Sequence, residues 1–192
     1  MADRGESLLV GRADAAVPSG QRVPGASGVT LLSTPVLPQA AVAAIAKDVQ
    51  VYGHRGLETG GFLLLSRDAD VVSTVAFAGD EGIVRQRNLF QISERALDRL
   101  FTFADDRDLW VPVQFHSHGA GAFLSLTDAD HGLRAEGFTS AVIPGYRDPP
   151  TDIHQWGWWR FTAGRWGRVS GACVGDGLVE LVRFDEVGVR GD

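Results

Sequence analysis

Two short apolar runs constrain the fold of this chain most strongly. The first covers residues 61–65 and follows Glu58, Thr59 and Gly60. The second covers residues 110–115 and leads directly into His116. Runs of this length, rich in aromatic and branched residues and bounded by glycine or polar residues, are typical of strands rather than helices. The first is predicted to be a buried strand after a turn, and the second a strand that ends at the histidine.

Helical and strand patterns alternate around these two runs. The first predicted helix has Pro38 near its start and Val42, Ile45 and Val49 along one stripe, and the second is capped by Ser93. The remaining predicted elements are a strand over 71–77, a helix over 128–137, a strand over 139–144 and a β-rich tail from 153 onward. The expected fold class is therefore α/β, with a mixed β-sheet flanked by helices in a single domain.

The length of 192 residues suits one compact domain with a sizeable core. Residues 1–28 are rich in Gly, Ala, Arg, Asp, Ser and Pro without a sustained apolar period. Such a segment buries too little surface to offset its ordering entropy, so a flexible N-terminal arm is expected there. The folded domain is expected to span residues 29–192 and to open with a short strand at 29–32.

Composition narrows the classes of partner. The formal net charge of −6 argues against non-specific binding to nucleic acid or to an anionic membrane. No apolar run is long enough to span a bilayer, and the N-terminus lacks the pattern of a secretory signal. Cys173 is the single cysteine, which excludes an intrachain disulfide and a cysteine-rich zinc site. We expect a cytoplasmic protein in which Cys173 is a small buried hydrophobe.

His116 and His118 are the centre of the functional prediction. Residues two apart on a strand project to the same face, so both imidazoles can converge on one point. Two imidazoles suit zinc, which in catalytic sites takes a third protein ligand and leaves a fourth position for water. Asp128, at the start of the next predicted helix, is the natural third ligand. Its alternative role is structural, favouring the dipole of a helix that Ser125 or Thr127 caps, and both roles are compatible.

Glu58 strengthens the interpretation as a metal site. A charged residue just before two glycines and a buried strand is either exposed in the turn or used in chemistry. A carboxylate beside a zinc site can accept a proton from water and later pass it to a leaving amine.

Three segments of the chain, taken in order, resemble the signature of the JAB/MPN (JAMM) zinc metalloproteases. They are Glu58 before Thr-Gly-Gly, then His116-Ser117-His118, then Ser125-Leu126-Thr127-Asp128. The family pattern is a glutamate, His-Ser/Thr-His and Ser-x-x-Asp, and the resemblance covers residues 29–145. It departs from the pattern at Gly119, where the family has proline, and in a spacer one residue shorter than usual.

The resemblance implies a cytidine-deaminase-like α/β fold and a bound Zn²⁺. His116, His118 and Asp128 would be the metal ligands, Glu58 the general acid/base, and Ser125 a stabiliser of the tetrahedral oxyanion. The implied activity is hydrolysis of a peptide or isopeptide bond after the C-terminal glycine of a ubiquitin-like or sulfur-carrier-type protein. The implied partners are that protein or its conjugates and possible E1-like or E2-like proteins.

Several alternatives remain open at the level of sequence. Thr127 and Asp130 are also three residues apart and could replace Ser125 and Asp128. A non-catalytic MPN-type scaffold or a zinc hydrolase of a small amide are alternative functions. His131 is expected on a helix surface and His154 in a structural role. The aromatic segment 156–159 is expected to pack against the sheet, with a platform for substrate as the alternative.

Overall fold

The computed structural model describes residues 35–192, and the predicted arm and the predicted strand at 29–32 lie outside these residues. Within this range the helices are α1 (Gln39–Gly53), α2 (Glu94–Asp106) and α3 (Leu126–His131), with one 3-10 turn at Ile153–Gln155. The strands are β1 (Val36–Pro38), β2 (Gly60–Ser66), β3 (Val72–Ala78), β4 (Ile83–Gln86), β5 (Leu89–Ile92), β6 (Leu109–Ser117), β7 (Thr139–Ile143), β8 (Gly157–Thr162), β9 (Arg165–Arg168), β10 (Cys173–Gly175), β11 (Glu180–Asp185) and β12 (Gly188–Gly191).

Eight strands form one mixed sheet in the order β12-β11-β3-β2-β6-β7-β8-β9. The two strands predicted from the apolar runs, β2 and β6, are neighbours in its middle and pair antiparallel. β7 lies parallel to β6 on its other side, so the carboxyl ends of β6 and β7 and the start of β2 share one edge. The remaining strands form two-stranded pairs, β1 with β10 and β4 with β5.

The sheet is covered by a helix on each face. Along β2, Leu63 and Leu65 belong to the core beneath α1, whereas Phe62 and Leu64 belong to the core beneath α2. This alternation follows from the period of two along a strand. A strand covered on both faces needs apolar residues at every position, which explains the continuous run at 61–65. The predicted α/β architecture, with a mixed sheet flanked by helices, is confirmed.

The two long helices begin where their sequences predict. The Ser93 hydroxyl accepts the Ala96 N–H at the start of α2. α1 begins directly after Pro38, and the predicted stripe of Val42, Ile45 and Val49 is fully buried against the sheet.

Two predictions about local structure are wrong. The third helix ends at His131, not at 137, because Gly132 adopts an extended conformation. Cys173 is exposed rather than buried, since it lies in β10, a short strand outside the large sheet that pairs only with β1. By contrast, Trp156 and Trp158 are 3% and 4% exposed and stack on each other, which confirms that they pack against the sheet.

Among residues 35–192, no helix combines the length and the apolar character needed to cross a membrane.

Candidate metal and catalytic site

The candidate site lies where β2 begins and β6 ends. Gly60 of β2 is opposite His116 of β6 in the antiparallel register. Just beyond this pair, the Ser117 N–H donates to the Thr59 carbonyl at 2.8 Å, and the Thr59 N–H donates to Ser117 Oγ at 3.1 Å. These two bonds hold Glu58, the residue before Thr59, at the edge of the sheet where the histidines lie.

Two glycines allow β2 to come this close to its neighbours. A Cβ atom on Gly60 would lie 2.2 Å from the Phe115 carbonyl oxygen, and one on Gly61 would lie 2.1 Å from the Ala76 carbonyl oxygen. Both distances are far shorter than van der Waals contact. The Gly-Gly pair after Glu58 is therefore required by the packing of the central strands.

His118 lies one residue past the end of β6, and backbone bonds to the neighbouring chain fix it there. Its N–H donates to the Ile143 carbonyl at 2.8 Å, and its carbonyl accepts the Tyr146 N–H at 3.0 Å. The ring of Phe123 packs edge-on against the imidazole, with 4.9 Å between ring centroids. The side chain is thus positioned by the end of β7 and by the loop that precedes α3.

Three potential ligand atoms meet at this edge. The Nε2 atoms of His116 and His118 are 3.1 Å apart, and Asp128 Oδ2 lies 3.4 Å from the first and 3.3 Å from the second. Both histidines are buried, with 4% and 6% of their surface exposed. The sequence prediction that the two imidazoles and a nearby aspartate come together agrees with this geometry.

These separations fit a tetrahedral zinc ion. With Zn–N and Zn–O bonds of about 2.0–2.1 Å, two ligand atoms of an ideal tetrahedron lie about 3.3–3.4 Å apart. The three observed distances of 3.1, 3.3 and 3.4 Å are close to that value. The cluster of His116, His118 and Asp128 could therefore hold a metal ion.

Asp128 combines a capping role with its place in the cluster. The Ser125 N–H donates to Asp128 Oδ2 at 2.8 Å, and Ser125 Oγ accepts the Asp128 N–H at 3.1 Å, which forms a capping box at the start of α3. The alternative register fails geometrically, because Asp130 is exposed and pairs with Arg134 at 2.8 Å. Thr127 and His131 are exposed on α3 and lie outside the cluster.

Glu58 is buried, with 5% of its surface exposed, and it shares a cavity of about 260 Å³ with His118 and Ser125. Burial raises the pKa of Glu58 to about 7, and the negative charge of Asp128 contributes in the same direction while His118 opposes it. A carboxyl group with a pKa near neutrality can both accept and donate a proton at physiological pH.

The carboxyl group of Asp128 has the opposite behaviour. Burial by itself raises the pKa of Asp128, but hydrogen bonds from His116, His118 and Ser125 outweigh it and hold the pKa well below the ordinary value. Two carboxyl groups of one site thus differ in charge state near neutral pH. Asp128 is the fixed anion suited to a cation, and Glu58 is the group able to exchange a proton.

Sequence reasoning did not identify Arg85, which anchors the segment that carries Glu58. The Arg85 guanidinium donates to Thr59 Oγ1 at 3.1 Å and to the carbonyls of Ala78 and Gly79 at 2.7 Å each. The Glu58 N–H donates to the carbonyl of Gln86, the next residue of β4, at 2.9 Å. The only local signal was an arginine following two apolar residues at 83–84, and its partners are fixed by tertiary packing.

Comparisons with known proteins establish the fold. No family model and no curated protein matches the chain. The solution structure of a protein from Desulfitobacterium hafniense matches with a TM-score of 0.56 at 14% identity, covering 74% of this chain and 94% of that one. At that identity the likeness shows a shared fold and no activity.

Two further structures are similar at lower TM-scores. A protein from Salinibacter ruber has a TM-score of 0.49 at 21% identity, covering 72% of this chain and 90% of that one. A JAB1/MPN domain protein from Archaeoglobus fulgidus has a TM-score of 0.45 at 15% identity, covering 74% of this chain and 99% of that one.

Proposed function

We propose that this protein is a zinc-dependent metallopeptidase of the JAB/MPN (JAMM) type. The observation that carries the proposal is the convergence of His116, His118 and Asp128 at 3.1–3.4 Å, next to the buried carboxyl group of Glu58. The order of these residues in the sequence, with Ser125 before Asp128, supports the same assignment. The separations also match the edges of a zinc tetrahedron.

His116, His118 and Asp128 are the proposed ligands. A zinc ion held there would polarise the scissile carbonyl and lower the pKa of water, which is the chemistry such ions supply. The carboxylate of Glu58 accepts the proton that the attacking water loses, and its acid form then donates that proton to the leaving amine. Its pKa of about 7 suits both steps.

Ser125 is proposed to stabilise the oxyanion that forms during hydrolysis. Its Oγ accepts the Asp128 N–H, and its side chain also hydrogen-bonds to the Asp128 carboxylate, which fixes the hydroxyl group in the site. In the proposed step the hydroxyl hydrogen turns from that carboxylate to the oxyanion. Ser125 also lines the cavity that contains Glu58 and His118. A fixed donor at the place where negative charge develops lowers the barrier to acyl transfer.

The proposed substrate is a ubiquitin-like or sulfur-carrier-type protein, cleaved after its C-terminal glycine. This choice rests on the motif resemblance. The protein-bound conjugates of such a carrier, and E1-like or E2-like proteins of the same pathway, are the proposed partners. The proposed location is the cytoplasm. The net charge of −6 argues against nucleic acid or an anionic membrane as the partner.

Elemental analysis of the purified chain tests the metal site. We expect one zinc per chain in the parent protein and in Glu58→Gln, and loss of that zinc in His116→Ala. A parent protein without stoichiometric zinc at saturating free metal would contradict the proposal and favour a non-catalytic scaffold.

Incubation with a panel of ubiquitin-like carriers, each extended by a peptide after its C-terminal glycine, tests the activity. We expect cleavage after the glycine by the parent protein, inhibition by a chelator, and loss of at least about a hundredfold in turnover in Glu58→Gln. Mass spectrometry of the products identifies the bond. Full turnover by Glu58→Gln would contradict the assignment of Glu58 as the general acid/base.

A further inference from the structure

Two openings that share no lining residue reach the candidate site. A groove of about 530 Å³ passes between β5 and α3 and reaches His116 and Asp128, but Glu58 does not line it. The cavity of about 260 Å³ has Glu58, His118 and Ser125 in its lining. The proton donor for the leaving amine in the proposed function therefore lies on the side of the smaller cavity.

The smaller cavity continues into a third one, with a volume of about 630 Å³. The two share Arg87, Gly119 and Tyr146 in their walls. Arg55 and Arg147 complete the cationic part of the third cavity, and Asp148 is the single acidic residue in its lining. We call Arg55, Arg87 and Arg147 the arginine cluster.

The cluster gathers three positive charges on one wall of a chain whose formal net charge is −6. All three arginines are exposed, and none of them forms an ion pair with another residue in the range 35–192. The guanidinium group of Arg55 lies 6.0 Å from the centroid of the Tyr52 ring, a distant contact. The lack of an ion pair is shared by other exposed arginines among residues 35–192, such as Arg95, Arg99 and Arg165, so the distinguishing feature of the cluster is its place beside the cavity of Glu58.

The backbone ties two members of the cluster to the site. Arg147 follows Tyr146, whose N–H donates to the His118 carbonyl at 3.0 Å. Arg87 follows Gln86, whose carbonyl accepts the Glu58 N–H at 2.9 Å. Both guanidinium groups are therefore carried by segments that also position the candidate catalytic residues.

The third member is held close to the same wall. Arg55 lies in the turn after α1, where the Arg55 N–H donates to the Tyr52 carbonyl at 2.9 Å. Gly53, two residues earlier, packs so tightly on the segment that precedes Arg147 that a Cβ atom would lie 2.0 Å from the Tyr146 carbonyl oxygen. The end of α1 and residue 147 thus share one surface.

We propose that the arginine cluster binds a carboxylate carried by the leaving side of the substrate. The proposal deepens the proposed function and rests on it for the direction of the substrate, because the cluster adjoins the cavity of Glu58. Guanidinium groups recognise carboxylates by paired hydrogen bonds as well as by charge. The carboxylate can be the free C-terminus of a short leaving group or an acidic side chain of a longer one.

Peptide binding tests the cluster without any turnover. The probes are fluorescent peptides measured by anisotropy with the zinc-loaded Glu58→Gln protein. One pair is Gly-Gly-Ser with a free or an amidated C-terminus, and the other is Gly-Gly-Ser-Glu-Glu or Gly-Gly-Ser-Gln-Gln, both amidated. We expect at least one carboxylate-bearing probe to bind about tenfold more tightly than its neutral partner, and the pair that responds identifies the source of the carboxylate.

Charge-matched variants separate a local site from a general charge effect. Replacing Arg55, Arg87 and Arg147 together by Gln is expected to abolish the tenfold preference. Replacing Arg95, Arg99 and Arg165 by Gln removes the same charge from exposed residues that line neither cavity, and is expected to preserve it. Equal affinity for charged and neutral probes, or equal loss in both variants, would overturn the proposal.

The parent protein links this result to catalysis. With a carrier that is cleaved, a carboxylate after the scissile glycine is expected to lower KM about tenfold without changing kcat, since it adds the same binding to substrate and transition state. If the carrier is cleaved equally well with and without that carboxylate, the proposed role of the arginine cluster is contradicted and the proposed function is not. Tight carboxylate binding without cleavage of any carrier would contradict the proposed function alone.

Discussion

At the scale of single residues, Glu58 stands out because it is a carboxyl group buried beside a fixed anion. It lies 5% exposed in a cavity with His118, while Asp128 is held in the charged form nearby. Burial of an ionisable group disfavours its charged form, which is the main cause of its raised pKa. Ionisation of such a group in the folded protein lowers the free energy of unfolding, and this loss can be measured.

The stability of the metal-free protein should reveal the raised pKa of Glu58. Between the ordinary value of 4.5 and the folded value of about 7, the native state binds more protons at Glu58 than the unfolded state. The contribution of Glu58 to the free energy of unfolding therefore falls as pH rises through this window. Glu58→Gln lacks this contribution, so its stability relative to the parent should rise between pH 4 and pH 8.

Denaturant unfolding in the presence of a chelator measures this difference. Glu81→Gln is a matched control, because Glu81 is exposed on the loop before β4. The difference in the free energy of unfolding between Glu58→Gln and the parent is compared at pH 4 and pH 8. An equal difference at the two pH values would show that the carboxyl group of Glu58 ionises normally in the folded protein.

Gly61 illustrates how backbone packing constrains a single position. Gly61→Ala places a methyl group 2.1 Å from the Ala76 carbonyl oxygen between β2 and β3. We expect a loss of about 2–3 kcal/mol in the free energy of unfolding, since neither strand can move without disturbing the core. Gly167→Ala, at a position with no atom within 4 Å of the added Cβ, should be neutral or slightly stabilising. Equal effects of both substitutions would contradict the steric explanation.

At the scale of elements, Arg85 links the β4–β5 hairpin to the end of β3 and to the start of β2. Arg85 donates to Ala78 and Gly79 at the end of β3 and to Thr59 before β2. Its guanidinium also stacks on the ring of Tyr52 in α1, 4.1 Å from the centroid. The hairpin pairs with no strand of the large sheet, so these contacts position the Glu58 segment from one side.

Arg85→Met should loosen this connection while leaving the metal ligands in place. Losing charge-assisted hydrogen bonds to buried carbonyls is expected to cost about 2–4 kcal/mol of stability. Hydrogen exchange of the Glu58 amide, which donates to Gln86, should accelerate more than that of the His118 amide. Arg95→Met on the exposed face of α2 serves as the control. Unchanged exchange at Glu58 would show that the hairpin is held by other contacts.

At the scale of the whole molecule, the candidate metal site connects helix α3, which contributes little to the core, to the central strand β6. Helix α3 has no buried residue of its own, whereas β6 lies in the middle of the sheet. Helix α3 is attached by the contacts of Asp128 with the two histidines and by the Trp166 indole N–H, which donates to the Ala129 carbonyl at 3.2 Å. A metal ion at the cluster would bind the folded chain much better than the unfolded one, and so would stabilise it.

Thermal unfolding should therefore depend on zinc. With free zinc a thousandfold above its Kd, the stabilisation is about 4 kcal/mol, which corresponds to a rise of roughly 8–16 °C in Tm for a domain of this size. His116→Ala should lose this rise, and His154→Ala, which changes an exposed histidine outside the cluster, should keep it. A Tm that zinc does not alter, or one that rises equally in His116→Ala, would argue against metal binding at this cluster.

The sequence by itself determined the features that depend on a few neighbouring residues. Strand alternation placed His116 and His118 on one side, and the cap at Ser93 placed the start of α2. Ser125 was one of two residues expected to cap α3, next to the candidate ligand Asp128. Each of these follows from backbone geometry over two to four residues. The same local reasoning misjudged Cys173, because whether a short strand is buried depends on which sheet it joins.

Only the tertiary structure decided which distant residues meet. Glu58 lies near the histidines because β2 pairs antiparallel with β6. Asp128 belongs to the cluster, whereas Asp130 points to solvent and pairs with Arg134. Arg85, the arginine cluster and the two openings around the site depend on loops brought together from remote parts of the chain. Pairing of this kind is set by the packing of the whole core, which no local pattern encodes.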